Sequence, residues 1–245
     1  MDYFPRPGAL GHLMFHCEAD SVRTHDLLEL DASVFISGDL SAPAWVDEVL
    51  RKSPFVVVRR GRATDQEIPI GVRGAERNQR WPAFCHPTSV KTILTPPQLL
   101  KRTVPTLRAD ATPALRALQV LKDRWMDLDH PWGPGGSVGF ELATGRHVVK
   151  PESDLDVVIY AEDKITREQA RSLQARTMNL LVAVDIRVET LGCGFSLTEY
   201  ARGGSAGILL RTPAGLELSD DPWSYEFSME DRGRREGERL NVPWA

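Results

Sequence analysis

The chain is poor in cysteine, in long apolar runs and in aromatic side chains. Its 245 residues include three cysteines, Cys17, Cys85 and Cys193, with no C-x-x-C pair. An odd number at that spacing argues against a disulfide framework and against a closed zinc site. The longest aliphatic stretches, such as Leu180–Val184, fall far short of the ~18 apolar residues of a membrane span. Asp2, Pro5 and Pro7 interrupt the start, so the expectation is no signal peptide, no membrane and a cytoplasmic location. Aromatic residues make up 7%, too few to suggest a stacking surface for nucleic-acid bases.

What is present is a globular composition, 42% hydrophobic and 26% charged, with a net charge of −4. The charge is uneven. From Arg51 to Arg102 there are eleven Lys/Arg against three acids, a segment of +8 that leaves −12 elsewhere. Such a segment suits phosphate or an acidic protein. A nucleic-acid module is disfavoured, because only Phe55, Trp81 and Phe84 interleave with those cations. His12, His16, Cys17, Cys85 and His86 fit no metal-ligand spacing.

The hydrophobic pattern predicts an α/β (α+β) protein with a smaller N-terminal domain, 1–104, and a C-terminal domain, 105–245. In the first, a short helix begins after Pro43, Phe55–Val58 reads as a buried strand, and Ile68–Val72 reads as an edge strand because of Pro69. In the second, Thr112-Pro113 opens a helix whose Leu115, Leu118, Leu121, Trp125 and Leu128 share one face. Val138, Phe140 and Leu142 alternate as a strand, as do Leu155, Val157 and Ile159. Thr166-Arg-Glu-Gln169 is a capping box, Val182–Val188 a further strand, and residues 208–218 a hairpin. The result is a mixed sheet packed by helices on one side.

Asp154-Leu155-Asp156 is the most informative motif. Residues i and i+2 of a strand project to one face, so two carboxylates lie together and call for a cation. Oxygen ligands suit Mg²⁺, which shares its coordination with substrate phosphates. Asp185, on a later strand, supplies a third carboxylate and room for two ions; Glu189, on the same strand face, is the second choice. Gly135-Gly136-Ser137 lets backbone N–H groups approach a phosphate and adds a hydroxyl. Arg146 and Lys150, in the turn before Asp154, are further phosphate candidates, and Arg73, Arg77 and Arg80 carry the basic segment toward the cleft.

G-G-S, a sixteen-residue spacer, D-L-D and then an acid in V-D-I-R-V resemble the polymerase-β-like nucleotidyltransferase pattern. W-G-P-G-G-S-V-G-F-E-L-A-T-G, E-S-D-L-D-V-V-I and V-D-I-R-V-E-T resemble the malonate decarboxylase holo-acyl-carrier-protein synthase family, also called phosphoribosyl-dephospho-CoA transferase. T-H-D-L-L-E-L, P-F-V-V-V-R-R and I-P-I-G-V-R-G-x-x-R-x-Q-R are similar to its N-terminal region, and the likeness runs over residues 20–220. The resemblance implies a nucleotidyltransferase-type catalytic domain at 105–245 and an N-terminal domain that docks substrate or carrier. It implies triphosphoribosyl-dephospho-CoA as substrate, a serine on the apo acyl carrier subunit of malonate decarboxylase as acceptor, and diphosphate as product. Asp154, Asp156 and Asp185 would then hold one or two Mg²⁺ ions, and Gly135–Ser137 the phosphates. The alternatives are a nucleotidyltransferase using an ordinary nucleoside triphosphate, and a non-catalytic nucleic-acid or protein-binding module.

Overall fold

In the computed structural model, residues 22–31, 42–61, 64, 66–76, 78–204 and 207–225 are described. They form two sheets. The first holds β1 (Leu27–Leu30), β2 (Phe55–Val58), β3 (Ile68–Arg73), β4 (Arg80–Cys85) and β5 (Val90–Leu94) in the order β4-β3-β2-β1-β5. All its pairings are antiparallel. Helix α1 (Ala44–Lys52) begins after Pro43 and buries Val46 against this sheet's core of Val56, Val58, Ile68, Ile70 and Val72.

β3 is internal, not an edge strand as Pro69 suggested. The Pro69 carbonyl accepts from the Arg59 N–H at 2.9 Å. N and O of one residue point to the same side of a strand, so the donor that proline lacks would have met only the Arg59 carbonyl, one residue past the end of β2. The loss falls at the end of that ladder, and β3 pairs with β4 along its whole length. β1, β4 and β5 are further strands that the periodicity did not isolate. Proline at 82 and the short lengths mask them.

Helices α2 (Pro96–Leu99), α3 (Thr106–Ala111) and α4 (Pro113–Arg124) lead to the second sheet. That sheet holds β6 (Trp132–Pro134), β7 (Leu155–Tyr160), β8 (Val184–Glu189), β9 (Gly194–Ser196), β10 (Ile208–Thr212) and β11 (Gly215–Ser219) in the order β11-β10-β9-β8-β7-β6. β7 and β8 are parallel and the other neighbours antiparallel. Helix α6 (Arg167–Ala175) joins β7 to β8, and its capping box forms: Thr166 Oγ1 accepts from Gln169 N at 3.1 Å while Gln169 Oε1 accepts from Thr166 N at 2.7 Å. Helix α7 (Leu197–Arg202) follows β9 directly. Leu115, Leu118 and Leu121 of α4 and Leu197 and Tyr200 of α7 cover one face of the sheet, against Leu155, Val157, Ile159, Ile186 and Val188. The alternate residues of β7 and β8 are left facing the other way.

Val138, Phe140 and Leu142 lie on helix α5 (Gly136–Thr144), which corrects the strand expectation. Ser137 through Glu141 are all buried, so alternation carries no information there. Glu141 anchors this helix. Its carboxylate accepts from Arg108 Nε at 2.7 Å and Nη2 at 2.9 Å, and from the Val148 and Val149 N–H groups at 2.8 Å. Leu27 of the first sheet packs with Leu99, Phe140 and Ala143, joining the two halves.

Two glycines are required for different reasons. A Cβ on Gly133 would overlap the Pro96 carbonyl, where α2 crosses β6. Gly145 ends α5 at φ 69°, with open space around it. Gly133→Ala should therefore lose more stability, from backbone displacement that costs ~1–3 kcal/mol or more. Gly145→Ala should lose only the left-handed penalty of ~1–2 kcal/mol. Urea denaturation of the two variants measures the difference; equal losses would mean that the α2–β6 approach is slack.

Asp26 gives a pH signature. It is fully buried, Oδ2 accepts from the Arg23 N–H at 2.8 Å, and Oδ1 has no hydrogen-bond partner among the described residues. Burial pushes its carboxyl from 3.8 up to about 6. Between those values the folded chain binds a proton that the unfolded chain has released, so this group's contribution to stability falls as pH rises from 3.8 to about 6. Asp26→Asn should remove that falling contribution, so stability should rise more, or fall less, with pH across that window than in the unsubstituted chain. Parallel curves for the two proteins would refute it.

Candidate active site

Parallel pairing of β7 with β8 places Asp156 directly beside Asp185. Laterally paired residues share a face, and so do residues two apart, so Asp154, Asp156 and Asp185 occupy one end of the face away from the helices. Asp154 is exposed and Asp156 and Asp185 are half-buried. Burial raises the Asp156 carboxyl, and the neighbouring charges of Asp154 and Asp185 raise it further. Arg73 and His25, from the first half of the chain, oppose that rise.

The G-G-S run meets this row from the β6 side. Gly135 N–H donates to the Asp156 carbonyl at 2.9 Å. Gly136 has φ 52°, and a Cβ there would collide with Asp156 Oδ2. Glycine is required on both counts. Gly135 is the N-cap of α5 and offers no side chain to the first turn, so free N–H groups and the positive end of the helix dipole open beside the carboxylates. Ser137 is buried, and its hydroxyl makes no hydrogen bond to a described residue.

Glu189, the second choice for a third acid, has another task. It is buried, His25 Nε2 lies 2.9 Å from Oε1, and Arg60 donates to Oε2. Burial alone would raise its carboxyl; Arg60 and His25 hold it below its usual range. Tyr160, its neighbour on β7, donates to the Thr24 carbonyl at 2.9 Å. These contacts pin the 23–26 turn and the end of β2 over the second sheet. His25 takes φ 77°, a strained value for a non-glycine residue. The T-H-D wording signalled that turn, but nothing in it revealed the strain or the partner 164 residues away.

The other candidates divide. Arg73 pairs across β3–β4 with Arg80 and reaches the field of Asp156, so it joins the site. Arg80 is half-buried beside it. Arg77 lies outside the described residues. Arg146 and Lys150 are exposed in the loop before β7; their backbone N–H groups are held by Thr144 Oγ1 and Ser153 Oγ at 3.2 and 3.0 Å. No described contact ties either side chain to the acid row. Cys85 is buried, and His86 is engaged with Thr88 and Gln66; His12, His16 and Cys17 lie outside the described residues.

The donor set fits a hard divalent cation that is shared with substrate. Asp185 Oδ2 also accepts from Arg187 Nη2 at 3.2 Å. Among the described residues no group of three or more His, Cys, Asp or Glu side chains is placed to hold one metal ion, so the three acids do not converge on a single protein-built site. Magnesium needs none, since it takes one or two carboxylates and completes its shell with water and phosphate. Like charges repel, so a cation between the acid row and a polyphosphate would favour their approach.

Comparison with known proteins identifies the relatives of this arrangement. Residues 23–96 match the family model "Phosphoribosyl-dephospho-CoA transferase MdcG N-terminal domain", and residues 100–222 match the C-terminal domain of the same name. A phosphoribosyl-dephospho-CoA transferase of Pseudomonas fluorescens is 36% identical over 200 residues, 82% of this chain and 93% of the relative. Those of Klebsiella pneumoniae and Pseudomonas aeruginosa are each 35% identical, over 83% and 81% of this chain and 97% and 92% of their own lengths. No solved structure matches the chain. Both halves of the fold and the acid row fall inside the matched segments, and the chain belongs to the phosphoribosyl-dephospho-CoA transferase family.

Proposed function

We propose that this transferase moves the phosphoribosyl-dephospho-CoA group from its triphosphate precursor to a serine of the apo acyl carrier subunit of malonate decarboxylase. The serine hydroxyl gives up its proton to solvent as its oxygen attacks the α-phosphorus, a P–O bond forms, and the bond to diphosphate breaks. The observation that carries the reading is the β7–β8 register, which sets Asp156 beside Asp185 under the Gly136 turn. Asp154 and Asp156 would hold Mg²⁺, with Asp185 available to a second ion, and the metal supplies charge neutralisation at the phosphate oxygens and the leaving group.

The chain's own groups do the positioning. The free N–H groups of the α5 first turn and the Ser137 hydroxyl seat the terminal phosphates. Arg73 brings a guanidinium over the acid row from β3 and offsets phosphate charge there. The buried Glu189 contacts keep the β2 end and the 23–26 turn closed over the row, which limits water around the reacting phosphorus. The +8 segment gives an acidic carrier a complementary approach.

Asp156→Asn should lower turnover about a hundredfold or more, since a charge at a phosphoryl centre is worth several kcal/mol. Gly136→Ala should do the same by displacing the Asp156 carboxylate, with an unchanged far-UV spectrum. Ser137→Ala removes one hydrogen bond to a charged group, worth ~1.5–3 kcal/mol, and should act mainly on the KM for the triphosphate. Diphosphate release with apo carrier present reads all three. Turnover of Asp156→Asn at the unsubstituted rate, at saturating Mg²⁺, would refute the site; a Ser137→Ala defect confined to kcat would give the serine a chemical role instead.

A further inference from the structure

The Gly135–Ser137 turn seats one run of phosphates, but the substrate proposed above carries two. Besides its triphosphate, dephospho-CoA has a diphosphate bridge between adenosine and pantetheine. A second polyanion site would have to lie away from the acid row.

The open face of the second sheet provides one. On the helix-distant side Glu189 of β8 lies beside Gly194 of β9, and Gly194 beside Arg211 of β10. A Cβ on Gly194 would collide with both the Arg60 guanidinium and the Glu189 carboxylate. Arg60 thus lies over the missing side chain, between Glu189 and Arg211. Arg187, two residues before Glu189, points to the same face. Three guanidiniums converge on two carboxylates. Arg60 is paired with Glu189 and Arg187 with Asp185, while Arg211 has no hydrogen-bond or ion-pair partner among the described residues. It is half-buried, where an unpaired cation is costly. Burial lowers its pKa, and repulsion from Arg187 and Arg60 lowers it further.

Two more features fix the ligand class. Arg211 is three strands from Asp156 in the sheet order, about 14 Å sideways at ~4.8 Å per strand, and shares its row with Tyr160, four residues farther along β7, so the two lie about 20 Å apart. A triphosphate seated by Ser137 is centred too far away for Arg211 to be its main cation. Next to Arg211 the edge strand presents exposed Leu216, and Leu218 is exposed two residues on, facing the same way. A guanidinium flanked by an open apolar strip suits a diphosphate joined to an adenine ring and an aliphatic arm.

We propose that Arg211, with Arg187 beside it and the Leu216–Leu218 strip beyond, binds the diphosphate bridge of the dephospho-CoA moiety. The inference rests on the transferase reading for its ligand. Its test does not require turnover. Calorimetry with the full chain uses dephospho-CoA in one arm and Mg²⁺-tripolyphosphate in the other. Arg211→Gln should weaken dephospho-CoA about tenfold or more, the loss expected for a charge-assisted contact, and should leave tripolyphosphate unchanged. Arg211→Lys, which keeps the charge without the fork, should fall between, and serves if the glutamine variant is unstable. Equal dephospho-CoA affinity in all three proteins, or a loss confined to tripolyphosphate, would overturn the assignment, as would an unsubstituted chain that binds no dephospho-CoA. If dephospho-CoA binding responds to Arg211 while no carrier is modified, the site stands and the acceptor reading falls; if the carrier is modified and Arg211 has no effect, the reverse holds.

Discussion

The buried carboxylate of Glu189 is the contact on which the arrangement depends. A charge in that position would be untenable alone, because desolvation far exceeds what a single hydrogen bond returns. Arg60 from the end of β2 and His25 from the turn before β1 both converge on it. The two halves of the chain are thereby fixed at the end of β8, four residues beyond Asp185. Removing either partner would leave the buried Glu189 carboxylate short of a hydrogen bond in a dry environment.

From that fixed point the site follows. With the 23–26 turn and β2 docked, β3 brings Arg73 into the field of Asp156. The second sheet supplies carboxylates, the α5 turn supplies N–H donors, and the first sheet supplies guanidiniums. Three kinds of group that would repel or neutralise one another in a single loop are instead held on separate rigid elements. Phosphoryl transfer requires such a division, since it relies on positioning and charge more than on covalent participation by the protein. The same face continues past Glu189 to Arg211, so under the proposed function one sheet face would serve both the reacting phosphorus and the remote end of the substrate.

The sequence was most legible where burial is one-sided. Leu155, Val157 and Ile159 alternate against Asp154 and Asp156, and the acid row could be read from that pattern before any coordinates. The capping box at Thr166 and the hairpin at 208–218 were equally plain, since local hydrogen bonds and a turn decide both. Legibility failed where burial surrounds an element. Helix α5 shows alternating apolar residues because nearly all of it is covered, and Pro69 misled because a proline's cost depends on which neighbour its missing donor would have met. The clamp was illegible for a different reason. His25 and Glu189 are 164 positions apart, and no local rule links a strained histidine to a buried glutamate. Glu189 alternates with Asp185 on one face, so pattern alone made it a metal-ligand candidate; only its partners show that it is a structural carboxylate.

The proposed product is a phosphodiester between this substrate and a carrier serine, made at the Asp154–Asp156–Asp185 row. Intact-protein mass spectrometry of the apo carrier tests it most directly, after incubation with the chain, Mg²⁺ and either the triphosphoribosyl substrate or ordinary nucleoside triphosphates. The prediction is a carrier heavier by one phosphoribosyl-dephospho-CoA group, on a serine, with the first donor alone. An unmodified carrier with that donor, or a nucleotidylated product with an ordinary triphosphate, would contradict it.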